Sequence, residues 1–225
     1  MSNFNLSIIV PVYNEADLVD KLIRRLRLLN DGLVTDIIVV DGGSTDGTAE
    51  RLSQQFTVIH SEKGRANQMN VGAKLANGTW LMFVHADTDL GPSHIAAAVS
   101  HGAMHKWGRF DVKLSGKGIS FRVIETFINW RSRLTKVATG DQCMFVRKSV
   151  FDQLNGFSDL PLMEDVELSK RLKKLGKPAC LDKRVITSSR RWEENGVLST
   201  VLLMWKLRYL FWRGVPAEEL AKLYR

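Results

Sequence analysis

The chain has 225 residues, 44% of them hydrophobic, with 32 basic and 24 acidic side chains and a formal net charge of +8. Such a composition argues against a disordered chain, and the two cysteines, Cys143 and Cys180, are in no metal-type spacing and give no sign of a zinc cluster or a disulfide framework. The length supports one domain with a substantial core, while the charge attracts anions without choosing among nucleic acid, anionic lipid and nucleotide phosphates.

"LSIIVPVYNE", Leu6 to Glu15, has the pattern of a buried strand ending in a polar turn. "DLVDKLIRRLRLL" follows with Leu18, Leu22, Leu26 and Leu29 at helical spacing. The alternation continues through a strand "DIIVV", the turn "DGGSTDGT", a short helix to Leu52, a strand "TVIH", a helix "ANQMNVGAKLA" and a strand "TWLMFVH". Short apolar strands alternating with helices predict a doubly wound, mostly parallel sheet, whose ligands collect at the carboxyl ends of the strands. Beyond Pro92 the pattern predicts a helix from Ser93 to Met104, a strand from Trp107 to Leu114 and a long amphipathic helix from Ile119 to Leu134. A strand "GDQCMFV", a helix "RKSVFDQL", a turn "NGF" and a helix within "LPLMEDVELSKRLKKLGKP" come next, the last bounded by Pro161 and Gly176.

No leader is expected, because the first apolar run is broken by Pro11 and followed at once by polar residues. Nor does any window reach the roughly 18 to 20 uninterrupted apolar residues of a bilayer span. The nearest, Val197 to Val215, contains Lys206, Arg208 and Arg213. It is expected to cap the core with its cations snorkelling outward, a peripheral membrane contact being the alternative. The expected location is the cytoplasm, with the inner membrane face as the peripheral variant.

Three polar clusters fall at predicted strand ends: Tyr13 to Glu15, Asp41 to Asp46, and His85 to Asp89. Each has a bland explanation, since Asp41 and Gly42 suit a turn and Asp46 suits a helix N-cap. Their convergence on one rim is the functional signal. Pro11, Tyr13 and Glu15 supply a turn and an aromatic edge able to frame a planar base, and the Asp41 carboxylate can accept hydrogen bonds from a base or ribose. Arg65, just before a helix, is suited to pair with phosphate through two parallel hydrogen bonds, or is a solvated surface residue. Glu164, Asp165 and Glu167 crowd a helix start, where the helix dipole favours carboxylates whatever their role.

"PVYNE", "DGGSTDGT", "HADTD" and "GF(x)6EDVELSKRL" together resemble the successive motifs of family 2 glycosyltransferases of the GT-A fold, spread from residue 8 to about 176. "KGRANQMNVGA", "HADT", "PLMEDVEL" and "SSRRWEENG" resemble a small soluble bacterial subgroup named for radical-SAM or arsenosugar gene clusters. The resemblance implies a single GT-A domain over 1–225, a Rossmann-like sheet flanked by helices. Residues 1–90 would bind nucleotide, 91–194 would hold acceptor and catalytic groups, and 195–225 would form C-terminal helices. It also implies an inverting transfer from a nucleotide-sugar, a UDP-sugar being commonest, to a hydroxyl acceptor.

By the same resemblance Pro11, Tyr13, Glu15 and Asp41 bind the nucleotide, Asp87 holds a divalent cation, Mn²⁺ or Mg²⁺, and Asp165 is the general base, with Glu164 positioning it or binding acceptor. His85 stands where most relatives have aspartate; it would bind the donor or orient Asp87, and its neutral imidazole weakens the case for strict metal dependence. Asp89 lies outside the motif and is assigned to leading the next helix. Arg191, in register with the arginine of a Gln-x-x-Arg-Trp motif whose glutamine is Ser188 here, would stabilise the departing diphosphate or lie in an exposed basic turn. Asp141 and Gln142 are weaker candidates for the acceptor cleft. The competing expectations are a catalytically silent nucleotide-sugar binder and a basic nucleic-acid-binding module, although no nucleic-acid motif is present. A nucleotidyltransferase lacks its Gly-rich phosphate loop here.

Overall fold

The computed structural model describes residues 4–29, 32–102 and 104–224. Seven strands form one sheet: β1 (Leu6–Val12), β2 (Val34–Asp41), β3 (Thr57–His60), β4 (Trp80–Phe83), β5 (Trp107–Leu114), β6 (Phe145–Arg147) and β7 (Ala179–Thr187), in the order β3-β2-β1-β4-β6-β5-β7. Strands β1 to β4 are parallel to one another, β6 runs antiparallel to β4 and β5, and β5 is parallel to β7. The expected mostly parallel, doubly wound sheet is therefore present, with one reversed strand.

β1 carries apolar residues on both faces because it is covered on both sides. Leu6, Ile8, Val10 and Val12 pack with α1 (Val19–Leu29), α2 (Thr48–Ser53) and α4 (Pro92–Gly102). Ile9 points the other way, toward α3 (Arg65–Leu75), α6 (Lys148–Gln153) and α7 (Glu164–Leu175). Pro11 has no N–H to give a neighbour, and it lies past the β1–β4 pairing, which runs only from Leu6 to Ile9.

The strand expected over "GDQCMFV" is shorter than its apolar pattern suggests. Gly140–Gln142 is a 3-10 turn closed by a capping box between Thr139 and Gln142, Cys143 adopts φ 44°, and β6 starts only at Phe145. Because β6 is reversed, this turn enters the sheet at the rim where β4 ends. The reversal brings a loop from the second half of the chain against His85.

β5 meets β6 only at Trp107 and Gly108. Beyond that, backbone groups of β5 are satisfied by side chains of α5 (Ile119–Thr135). Asn129 bonds both N–H and C=O of Val112, at 2.8 and 2.9 Å, and Glu125 accepts from the Leu114 N–H at 3.0 Å. This explains the unusual polarity of α5, which buries Glu125, Asn129 and Ser132. Its apolar Ile119, Val123, Phe127, Trp130 and Leu134 face outward, between 49% and 83% exposed.

The chain ends in α8 (Arg190–Glu194), α9 (Val197–Trp212) and α10 (Ala217–Tyr224). The core-capping expectation for Val197 to Val215 holds for one face only. Leu207 is buried with Val137, Met163 and Val166, whereas Leu198, Leu202, Trp205, Tyr209 and Trp212 are exposed. No helix among the described residues is long and apolar enough to cross a membrane.

Candidate functional site

The strand order turns back on itself between β1 and β4, the place where an open α/β sheet leaves a crevice at its carboxyl rim. β2, β1 and β4 are neighbours, so Asp41, Tyr13 to Glu15, and His85 to Asp87 share that rim. Asn14, at φ 52°, begins the turn after β1; its N–H donates to Ser44 Oγ at 2.9 Å and its Oδ1 accepts from the Thr45 N–H at 2.9 Å. The two loops are thereby joined. The Glu15 N–H donates to Thr48 Oγ1 at 2.9 Å, and Asp46 accepts from the N–H groups of Ala16 and Thr48.

Asp41 is only 1% exposed. Burial works to raise its pKa, but hydrogen bonds from the Ser44 hydroxyl, the N–H groups of Ser44 and Gly43, and His60 outweigh burial and hold the carboxyl below its ordinary range. Much of its accepting capacity is thus directed at its own loop. Tyr13 is exposed at the lip, with Lys63 Nζ 3.8 Å from its ring centroid.

Glu15 is pushed up by burial, opposed by the charge of Arg190 and reinforced by those of Asp87 and Asp46. These groups therefore form one electrostatic neighbourhood. Asp87 and Arg190 line a cleft of about 110 Å³ with Lys21, Ser115, Thr187 and Ser188. Asp89 lies there too, but its backbone bridges to Ile186 and its carboxylate meets Arg25 Nε at 3.4 Å, in keeping with a structural part.

His85 sits between the cleft and the second acidic group. Its Nδ1 is 3.7 Å from Asp141 Oδ1; burial works to lower its pKa, yet the Asp141 and Asp87 carboxylates win and raise it. Gly140 lies against the imidazole so closely that an added Cβ would meet Cε1 at 2.3 Å and Nε2 at 2.5 Å. The Gly140 N–H donates to Asp165 Oδ2 at 2.7 Å. One glycine thus touches both the histidine and the aspartate.

Glu164 and Asp165 open α7 after Met163, whose φ of 68° turns the chain sharply into the helix. Glu164 is 3% exposed, and burial followed by the charge of Asp165 raises its pKa, while Arg65, with Nε 3.5 Å from Oε1, pulls the other way. Arg65 is the first residue of α3, which packs on the same face of the sheet as α7, so its guanidinium meets the acidic pair at the rim. His85, Gly140, Glu164 and Asp165 line a small pocket with Met69, Phe83, Met144 and Phe157.

Arg191 is placed elsewhere. Its guanidinium stacks 3.5 Å from the Tyr224 ring centroid and donates to the Tyr224 C=O at 2.5 Å, tying α8 to α10. Arg190 is the member of the pair that faces the cleft, and adjacent arginines in a loop sequence carry no signal to choose between them. Gln142 is buried and bonds its own turn, whereas Asp141 faces His85. The part played by Gly140 was not legible in the sequence, since a close approach of that kind depends on the reversed β6.

Among the described residues, no group of three or more His, Cys, Asp or Glu side chains is arranged to hold a metal ion. Next to a diphosphate, however, a hard cation needs only one or two protein carboxylates. Asp87, half-buried at the rim and without an ion pair among the described residues, offers one.

An open sheet with acidic strand ends gathered at its switch point and a second acidic pair facing them has the form of an α/β ligand-binding crevice. The chain belongs to Glycosyl transferase family 2, whose sequence model matches residues 7–154. A dolichol-phosphate mannosyltransferase of Pyrococcus furiosus is 26% identical over 178 residues, covering 73% of this chain and 49% of that protein. The chain spans about half the length, or less, of the first curated relatives it matches. Among solved structures, the mannosyltransferase PcManGT of Pyrobaculum calidifontis, in complex with GDP-Man and Mn²⁺, superposes with a TM-score of 0.64 at 20% identity, covering 80% of this chain and 56% of that one. Residues 1–349 of S. aureus TarS, in complex with UDP-GlcNAc, give 0.64 at 19% identity, covering 82% and 58%. The fold is GT-A.

Proposed function

We propose that the chain is an inverting glycosyltransferase that moves a sugar from a nucleotide-sugar, a UDP-sugar in the first instance, to a hydroxyl of a small or lipid-like acceptor. The carrying observation is the link from Asp165 through Gly140 to His85, which joins the acidic start of α7 to the strand-end rim where Asp41, Tyr13 and Asp87 gather. Nucleotide-sugars in the solved relatives named above support a donor of this kind.

In this reading Pro11, Tyr13, Glu15 and Asp41 frame the nucleoside, while Arg65 and Arg190 face the diphosphate. Asp165, held by the Gly140 N–H, accepts the proton of the acceptor hydroxyl on a carboxylate oxygen as that hydroxyl attacks the anomeric carbon. Glu164, with its raised pKa, positions Asp165 and Arg65. His85 orients the Gly140 turn and bears on Asp87. Mn²⁺ or Mg²⁺ would be held by Asp87; when bound, such an ion neutralises the charge that builds up on the departing diphosphate. We read residues 1–90 as the donor half, 91–194 as the acceptor half and 195–225 as a helical cover.

The outward apolar stripes of α5 and α9 support peripheral contact with a membrane interface. Trp130, Trp205, Tyr209 and Trp212 are the kind of residue that settles at headgroup level, and Lys206 and Arg213 lie among them.

A thermal-shift panel of UDP-, GDP- and dTDP-sugars, with and without Mn²⁺, tests the enzyme reading. Stabilisation that requires both nucleotide and metal is expected, and it should vanish in Asp87→Ala. Stabilisation by none of the donors would sink the assignment.

A further inference from the structure

Among the described residues, two arginines that feel the charge of Asp165 have no ion-pair partner of their own. Arg131 on α5 has its Nη2 buried with no hydrogen-bond partner. Among the described residues, neither it nor Arg208 on α9 forms an ion pair, and Asp111 on β5 is already taken by Arg109 and, through two bonds at 2.8 and 2.9 Å, by Arg133.

Packing brings the two together near the acidic pair. Leu207 is buried with Met163 and Val166, which flank Glu164 and Asp165, so α9 packs on the start of α7, and the charges of Asp165 and Asp141 reach the adjacent Arg208. Ile128 of α5 and Val201 of α9 belong to one apolar cluster, which sets the helices side by side. Burial and then the charge of Arg208 pull Arg131 down to about 9, with Asp165 opposing. Arg208 is lowered by burial, with Asp165 and Asp141 opposing.

Arginines with a purely structural part look different in this chain. Arg171 bonds Glu167 and the C=O groups of Leu154 and Gly156, and Arg122, although its own Nε is buried without a partner, pairs with Glu125 and bonds the C=O groups of Leu114 and Gly116. Two mutually repelling, half-dehydrated guanidinium groups without such partners are unfavourable unless an anion joins them.

We propose that Arg131 and Arg208 bind a phosphate group of the acceptor and hold the acceptor's hydroxyl toward Asp165. The inference rests on the glycosyltransferase reading above and adds the acceptor's chemical class. In transfer, the hydroxyl oxygen bonds the anomeric carbon, the bond from that carbon to the diphosphate breaks with its electron pair leaving on the diphosphate, and the proton goes to Asp165. The acceptor phosphate is bound but unchanged. It can belong to a soluble phosphomonoester or to a lipid headgroup, since guanidinium pairs with either.

The test uses the protein saturated with UDP and Mn²⁺, so that the donor's own phosphate site is filled. Calorimetric titration with inorganic phosphate, and sedimentation with phosphatidylcholine vesicles with and without phosphatidic acid, then read the second site. Arg131→Gln and Arg208→Gln should each weaken phosphate or phosphatidic acid binding by at least about tenfold, Lys at either position should restore part of it, and UDP affinity should be unaltered. A response to inorganic phosphate marks a soluble source, and a response to phosphatidic acid alone marks a headgroup. Loss of UDP affinity in the variants would assign the arginines to the donor and overturn the proposal, as would wild-type protein that binds neither probe. Failure of wild-type protein to bind UDP at all would instead condemn the enzyme reading. Circular dichroism of each Gln variant separates these outcomes from misfolding, and the Lys variants keep the question answerable if a Gln variant fails to fold.

Discussion

The N–H of Gly140 donates to Asp165 Oδ2 at 2.7 Å while the imidazole of His85 occupies the space where a side chain on that glycine would be. A backbone N–H bonded to a carboxylate is a charge-assisted contact, short and directional. The turn therefore fixes one oxygen of the proposed base, and its own position depends on a residue with no Cβ.

Gly140→Ala should displace either His85 or the turn, because the added carbon would stand well inside contact distance of the ring. Overpacking of this kind costs about 1–3 kcal/mol. The expected result is a lower urea midpoint together with a kcat reduced at least about tenfold, since misplacing a reacting group is expensive in rate. Kinetics and denaturation on the same preparation check both, and full activity would show that the turn does not position Asp165.

Asp165→Asn keeps the shape and a hydrogen-bond acceptor but removes the basic oxygen. Turnover should fall by about 10²–10⁴, the contribution of a positioned base, with UDP affinity unaltered. An active asparagine variant would transfer the role to another group.

The buried carboxyls Asp41 and Glu164 should give opposite pH signatures. Asp41 has its pKa lowered from an ordinary 3.8, so its contribution to stability is present above that pH and is lost as pH falls through the lower folded value. Glu164 has its pKa raised from 4.5, so the folded state binds its proton more tightly and stability declines as pH rises from 4.5 through the folded value. Asp41→Asn is expected to cost about 1–3 kcal/mol at neutral pH by weakening the Ser44 and Gly43 bonds, with the deficit shrinking in acid. Glu164→Gln should gain on the wild-type protein as pH rises past 4.5. Urea midpoints from pH 3 to 8 distinguish the two, and parallel curves for both variants would contradict the assignment of these two groups.

The first half of the fold was legible because its strands are buried on both faces and its helices carry one apolar stripe, so period and polarity both point the same way. The strand ends then followed, and with them Asp41, Glu15, His85 and Asp87. The second half was less legible for two physical reasons. Phe145–Arg147 is too short to show a strand period, and Cys143 and Met144 look like strand although Cys143 sits at positive φ. The sequence pattern of α5 shows an amphipathic helix, but not that its polar side faces inward to satisfy the backbone of β5. Which of Arg190 and Arg191 faces the cleft depended on where α10 ends, since Tyr224 captures Arg191.

Gly72 links the fold to the site through α3. An added Cβ there would meet Ile9 Cγ2 at 2.6 Å and Val40 Cγ2 at 3.0 Å, so the glycine lets α3 lie close on β1 and β2. Gly72→Val should destabilise by about 1–3 kcal/mol and move the helix that carries Arg65, raising the Kd for UDP as well as lowering the thermal midpoint. A variant that melts early yet binds UDP normally would separate Arg65 from the donor.

The exposed stripes of α5 and α9 should govern membrane partition. Trp130, Trp205 and Trp212 are 60%, 66% and 72% exposed, so replacing them removes little native packing. Each Trp→Ser change should cost about 1 kcal/mol of interfacial burial, roughly a fivefold drop in partition, with additive losses because the residues lie on separate turns or helices. Vesicles containing anionic lipid should bind more strongly than neutral ones, and added salt should weaken the difference, because Lys206 and Arg213 lie near the stripe and their attraction is screened. Sedimentation of the three variants with both vesicle types, beside a thermal melt to confirm folding, checks the prediction. Unaltered partition in the triple variant would place any membrane contact elsewhere on the surface.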